Sequence, residues 1–195
     1  LYEKKRSNPR IQGSVMIHRD ALVVKRWVIV VIGFCGFATA CRSESYFIDS
    51  IKGDDGNDGV SIDTPWKSHS KVEAVTLAAG DVVHFKKGSP FSGSIRIRQS
   101  GTAEQPIRIT SYGAGELPKF TNPSTSDESG NAMIIGGDHV IIENLHFHDT
   151  PGEYVSGWII MTQLAALRIE HGANHCVIRN NEFIKTGQGI MSAGE

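Results

Sequence analysis

The sequence is poor in the features that mark several common protein classes. It holds three cysteines in 195 residues, too few for the disulfide framework on which small secreted scaffolds rely. No apolar run reaches the roughly 20 residues that a membrane-spanning helix needs. Long helical periodicity is scarce, and no stretch reads as the helical crossover that a doubly wound α/β fold requires for each parallel strand pair. There is no basic excess either, since Lys+Arg total 20 against Asp+Glu 21. Binding of nucleic acid, which depends on clustered cations neutralising phosphates, is thereby disfavoured. What is abundant is glycine, with 21 residues, and alternation of apolar with polar positions. Both point to short strands closed by turns, an all-β domain long enough for a real core.

The first forty residues differ from the rest. Lys25 and Arg26 precede WVIVVIGFCGFATA, residues 27–40. A basic flank, a short apolar run and small residues at its end (Ala38, Ala40) form the pattern of a secretory signal. Met16 reads as the true start, which makes residues 1–15 an over-extended frame. FATAC resembles a bacterial lipobox, with Ala38 where leucine is usual, so Cys41 is the expected site of lipidation. A lipid there tethers the protein without a spanning helix. Without residues 1–40 the chain keeps 13 basic and 19 acidic residues, a net of −6. An acidic polysaccharide would be repelled by that charge unless a local basic patch or a bound cation intervened. Cys176, at an inward strand position, reads as a small hydrophobe.

Residues 41–45 form a tether, and 46–80 are expected to hold an early strand, YFID, and a short helix. Asp54, Asp55, Asn57 and Asp58 invite a calcium reading. An EF-hand loop counted from Asp54 would place Gly56 and Pro65 at ligand positions, so the reading fails and tight turns remain. Thr64 with Pro65 marks a helix start, and Ser70 with Glu73 a second capping box. This predicts two or three turns ending near Gly80. DVVHF, SIRIR and PIRIT each alternate and each end at a glycine-bearing break. Residues 122–131, NPSTSDESGN, read as an exposed loop.

Near the end, one unit recurs. DHVIIENLHFHDT, residues 138–150, and NHCVIRNNEFIKT, residues 174–186, align at an offset of 36. The alignment superposes His139, Ile142, Asn144, Phe147 and Thr150 on His175, Ile178, Asn180, Phe183 and Thr186. A winding chain explains the recurrence, because successive coils stack and equivalent corners lie above one another. Asparagine tolerates the left-handed corner, and its amide can bond to the amide above. The offset is longer than a lean coil needs, which marks residues 151–166 as an insertion, the place where a regular scaffold carries specificity. Residues 81–195 are therefore read as parallel coils, incomplete at the C-terminus because GIMSAGE stops where another strand is due.

VIIENLHF and CVIRNNEFIKTGQGI resemble the coil repeat of the right-handed parallel β-helix superfamily, the pectate-lyase-like fold. YFIDSIKGDDGNDG, TPWKS, AGDVVHFKKG, FSGSIRI and SGTAEQPIRITSYGAG are similar to the N-terminal opening of its exported bacterial members, in which an early strand and short helix cap the solenoid. The resemblance covers about residues 46–195. It implies an exported protein of carbohydrate metabolism, a polysaccharide lyase or a glycoside hydrolase, acting on polysaccharide as a monomer. The membrane would be reached only through Cys41. For a lyase it implies a lysine or arginine base, with Ca²⁺ or arginine neutralising the developing charge. The catalytic coils are expected beyond Glu195. A non-catalytic glycan-binding or adhesive solenoid is the alternative, favoured by the lack of a complete acid/base set.

Two readings of the outward residues stand side by side. In one, Glu143 opposite Arg179 and Asp149 opposite Lys185 are charge pairs between coils, worth about 0.2–1 kcal/mol each. In the other, His146, His148, Arg179 and Lys185 line one edge of a sugar groove, with Lys185 or Arg179 as base. His146 and His148 also face the same way with Glu182 near them. Zinc needs about four ligands, so no metal site is assigned. Tyr154 and Trp158, within the insertion, either stack on sugar rings or pack the loop down. Trp66 is read as core.

Overall fold

The computed structural model describes residues 43–124, 130–150, 165–170 and 172–192. Thirteen short strands and one helical turn follow one another through them. Five strands form one parallel sheet in the order β1 (Ser45–Ile48), β2 (Val82–Lys86), β5 (Ile107–Tyr112), β8 (Val140–Glu143), β11 (Val177–Arg179). A second runs β3 (Pro90–Ser92), β6 (Lys119–Thr121), β9 (His146–His148), β12 (Glu182–Ile184). The third runs β4 (Ile95–Ile97), β7 (Met133–Ile135), β10 (Leu167–Ile169), β13 (Ile190–Ser192). From β2 onward the chain visits the sheets in turn, so each circuit lays one strand on each.

The core is the stack of inward positions. Val83, Ile109 and Ile142 sit above one another in the first sheet, all fully buried. In the second, Phe91, Phe120, Phe147 and Phe183 make a phenylalanine ladder with centroid spacings of 5.2, 5.6 and 5.1 Å. Phe85 caps it edge-on against both Phe91 and Phe120. Alternation along each strand places these apolar groups on one face, and the in-register parallel pairing makes like residues neighbours.

The corners follow the same logic. His139, Asn144 and Asp149 have positive φ, and so do His175, Asn180 and Lys185, the residues 36 positions on. Each such circuit therefore turns at three left-handed corners. Asparagine and aspartate accept that conformation at small cost. The expected amide-to-amide rung is replaced by other bonds. Asn144 donates to Thr110 Oγ1 of the preceding coil at 3.3 Å. On the next coil Asn181, beside the corner Asn180, does the inter-coil work, accepting from Leu145 N at 3.0 Å and donating to Ile142 O at 2.9 Å. The corner histidines His139 and His175 stack face to face, centroids 4.7 Å apart.

Coil lengths locate the insertion. Leu167 pairs with Ile190, 23 positions on, whereas Met133 pairs with Leu167, 34 positions on. The extra length falls between β9 and β10, where an insertion was expected. Tyr154 and Trp158 lie in it, outside the described residues. Cys41 and the whole of residues 1–40 also lie outside the described residues.

Two expectations are corrected. The helix of two or three turns is reduced to α1, Lys71–Ala74, behind an N-cap Ser70 whose side chain makes no capping bond. Thr64 and Pro65 belong to the loop. Trp66 N and O bond to Phe47 O and Asp49 N, and this extends the chain beside β1. The indole, 4% exposed, anchors there through its Nε1 bond to Asn57 O. Burial of one large ring thus overrides the capping signal. Of the stretch 122–131, residues 125–129 lie outside the described residues, and its two end residues are not exposed. Asn122 and Asn131 are buried, joined by Asn122 Nδ2 to Asn131 O at 2.9 Å, and Asn131 Oδ1 accepts from Ala165 N. In the acidic loop, Asp54, Asp55 and Asp58 accept backbone and hydroxyl bonds from Gly56, Lys67, Ser68, Val60 and Thr64, as turn formers do.

Candidate functional site

The outward positions carry the polar chemistry, and the topology distributes them over separate faces. Arg179 stands at the end of β11 on the five-stranded sheet. His146 and His148 project from β9 on the second sheet. Lys185 is the left-handed corner residue after β12. The edge common to all four is therefore not formed.

On the five-stranded sheet Glu143 faces Arg179 in register, as the repeat required. Arg179 Nε donates to Glu143 Oε2 at 2.7 Å, and Arg108 donates to Glu143 Oε1. Arg108 is the residue sequence reasoning passed over. Its signal was the alternation of PIRIT, which turns Arg108 outward toward the following coil. Burial of Glu143 would push its carboxyl up, but hydrogen bonds and charge from the two guanidiniums outweigh this and hold it below the ordinary glutamate value. A guanidinium held this way is a poor base. The arrangement is a charge clamp between three coils.

The clamp gives a pH prediction. A carboxyl titrating lower in the folded state contributes stability that is complete above its unfolded pKa of about 4.3 and is lost as pH falls through the folded value. Glu143→Gln is expected to lower unfolding free energy by about 1–2 kcal/mol at neutral pH, discounted because both arginines are about half exposed to screening solvent. Urea unfolding across pH should show the gap between variant and parent closing below about pH 4. A gap independent of pH would refute the charge contribution.

His146 and His148 face outward together, rings 5.5 Å apart and nearly perpendicular. Both are largely enclosed, with side-chain exposures of 18% and 14%. Burial pushes His146 down, Glu182 at 3.8 Å partly offsets this, and His148 and Lys119 add to it. His148 Nδ1 approaches Asp149 Oδ2 at 2.5 Å. Among the described residues no three His, Cys, Asp or Glu side chains gather to hold a metal ion. The loop aspartates are engaged in turns, in keeping with the turn reading of that stretch. Cys176 is free and half-buried, and burial pushes its thiol up, away from the thiolate a nucleophile needs.

No protein-family model matches the chain. Over 85 residues it is 38% identical to lacto-N-biosidase of Bifidobacterium longum subsp. longum, covering 42% of this chain and 5% of that enzyme. Among solved structures, a GH136 lacto-N-biosidase from Eubacterium ramulus superposes with a TM-score of 0.64 at 22% identity, over 77% of this chain and 30% of that one. A rhamnogalacturonan lyase superposes with a TM-score of 0.55 at 20% identity, over 78% of this chain and 38% of the other. The chain is a parallel β-solenoid. At such identities the structural likeness speaks for fold. The matched parts span 5% of the curated relative and 30 to 38% of these solved structures.

Proposed function

We propose that these coils belong to a bacterial enzyme that cleaves carbohydrate, and that it is a glycoside hydrolase of the right-handed β-helix type. The supporting observation is the 38% identity over 85 residues to a lacto-N-biosidase. Hydrolysis requires two carboxyl groups about 5–9.5 Å apart flanking the bond. Glu143, pinned by two arginines, is unsuited to that work. Under this reading Tyr154 and Trp158, in the long connection between β9 and β10, contact the sugar.

The test is to incubate the product of the complete open reading frame with a panel of neutral and uronate glycans. A hydrolase releases reducing ends without an ultraviolet-absorbing product; a lyase gives an unsaturated uronate. Lyase product, or no cleavage of any glycan, would overturn the reading. The second reading, a non-catalytic glycan-binding solenoid, is favoured by the engagement of Glu143 in a structural clamp. Binding without cleavage would establish it.

The same proposal places the protein outside the cytoplasm, exported through residues 27–40 and held by lipid on Cys41. In a bacterial host, Cys41→Ser is expected to abolish fatty-acid labelling and move the protein from the membrane to the soluble fraction. Undiminished labelling would refute the anchor.

A further inference from the structure

The acidic loop after β1 does more than turn. It folds back so that Asp49, Lys52, Ile62, Asp63 and Pro65, with Lys86 at the end of β2 and Tyr112 and Gly113 at the end of β5, line an open pocket of about 580 Å³. That is the size of ordinary small-ligand sites.

The lining divides by chemistry. Asp49 is buried and its Oδ1 already accepts from Ile51 N, Lys52 N and Ser89 Oγ. Asp63 is exposed. The remaining polar groups are the ammonium groups of Lys52 and Lys86 and the hydroxyl of Tyr112. Burial and the charge of Asp49 push the Tyr112 phenol up to about 12, so it stays protonated and able to donate. Neither lysine has an acidic partner among the described residues. Lys86 is half-buried, its Nζ 5.3 Å from the centroid of the Tyr112 ring and packed where a Cβ on Gly113 would stand. A partly desolvated ammonium without an anion is costly unless a ligand supplies one. Ile62, 60% exposed, and Pro65 offer an apolar wall beside these donors.

We propose that this pocket binds a sugar residue bearing an anionic group, a carboxylate or a sulfate ester, away from the site of cleavage. Lys52 and Lys86 take the anionic oxygens, the Tyr112 hydroxyl donates to a ring substituent, Asp63 accepts from a sugar hydroxyl, and Ile62 with Pro65 covers the carbon face. The identification of the ligand as a sugar rests on the carbohydrate reading above; the anion-binding geometry does not.

The full chain would be titrated with galacturonate, galactose 6-sulfate, galactose and acetate, following backbone amide NMR shifts. Both anionic sugars are expected to shift Ile62, Lys86 and Gly113 at millimolar concentration and more weakly as salt rises. Galactose and acetate should bind at least tenfold more weakly. The two charged sugars distinguish a uronate from a sulfated ligand by which binds tighter. Lys86→Met should weaken binding about tenfold or more, Lys86→Arg much less, and Tyr112→Phe severalfold. Binding of acetate or galactose as tight as that of the charged sugars, shifts elsewhere only, or undiminished binding by Lys86→Met would overturn the proposal. Cleavage of glycans with no binding here would sink this inference alone. Binding here, with no cleavage by the product of the complete open reading frame, would sink the hydrolase reading alone.

Discussion

Phe147→Ala is expected to destabilise the protein by about 3–5 kcal/mol, the cost of removing a fully buried aromatic ring from a packed interior. The ring stacks on Phe183 with planes 10° apart and leans on Phe120 at 5.6 Å. Its loss opens a void between two coils whose backbones are fixed by parallel pairing on either side. Such a site cannot collapse, which puts the cost in the upper part of the range. Thermal unfolding should fall by about 10 °C. Phe183→Ala, in the same ladder but half-buried on the next coil, should cost about half as much because less area leaves water. Equal losses at both positions would show that stacking order, not burial, sets the energy.

Gly137→Ala is expected to cost about 3 kcal/mol despite adding a single carbon. A Cβ at this position would run into the backbone carbonyl of Gln99, and backbone cannot swing aside as a side chain can. Gly137 stands between β7 and β8, where one coil passes closely over the one before it. Relief would require the coils to separate, stretching the bond from Gly136 N to Ile97 O at 2.8 Å. Gly56→Ala is the control. Its Cβ would meet only Asp54 Oδ1 at 3.2 Å on an exposed turn, so the change should stay within about 0.5 kcal/mol. A denaturant series on the pair tests this. A mild effect at Gly137 would mean that the coil spacing adapts.

Much of this architecture is legible in the chain. Alternation in VIIE and HFH fixes which side chains face inward, and repetition at 36 positions fixes which residues become neighbours. Glu143 opposite Arg179 and Phe147 on Phe183 follow from those two periodicities alone. Strands too short to alternate visibly were harder to see. KFT and LRI, three residues each, carry no period of their own and became β6 and β10 through pairing with neighbouring coils. The helix was overestimated because capping residues report a local preference, whereas the burial of Trp66 is a tertiary demand.

The sequence by itself determined the coil: where the chain turns left-handed, which residues go inside, and which charges confront each other across one winding. Tertiary structure alone decided which outward residues share a face. His146 and His148 lie in one repeat and Arg179 in the next, and the asparagine corner between the first and second strand of each repeat sets them on different sheets. Asp49, Lys86 and Tyr112 are far apart in sequence and come together at one pocket. The physical reason is that stacking relates residues one full circuit apart. A circuit here ranges from 23 to 38 residues with the loops it carries, so lateral proximity depends on loop lengths that no local pattern encodes.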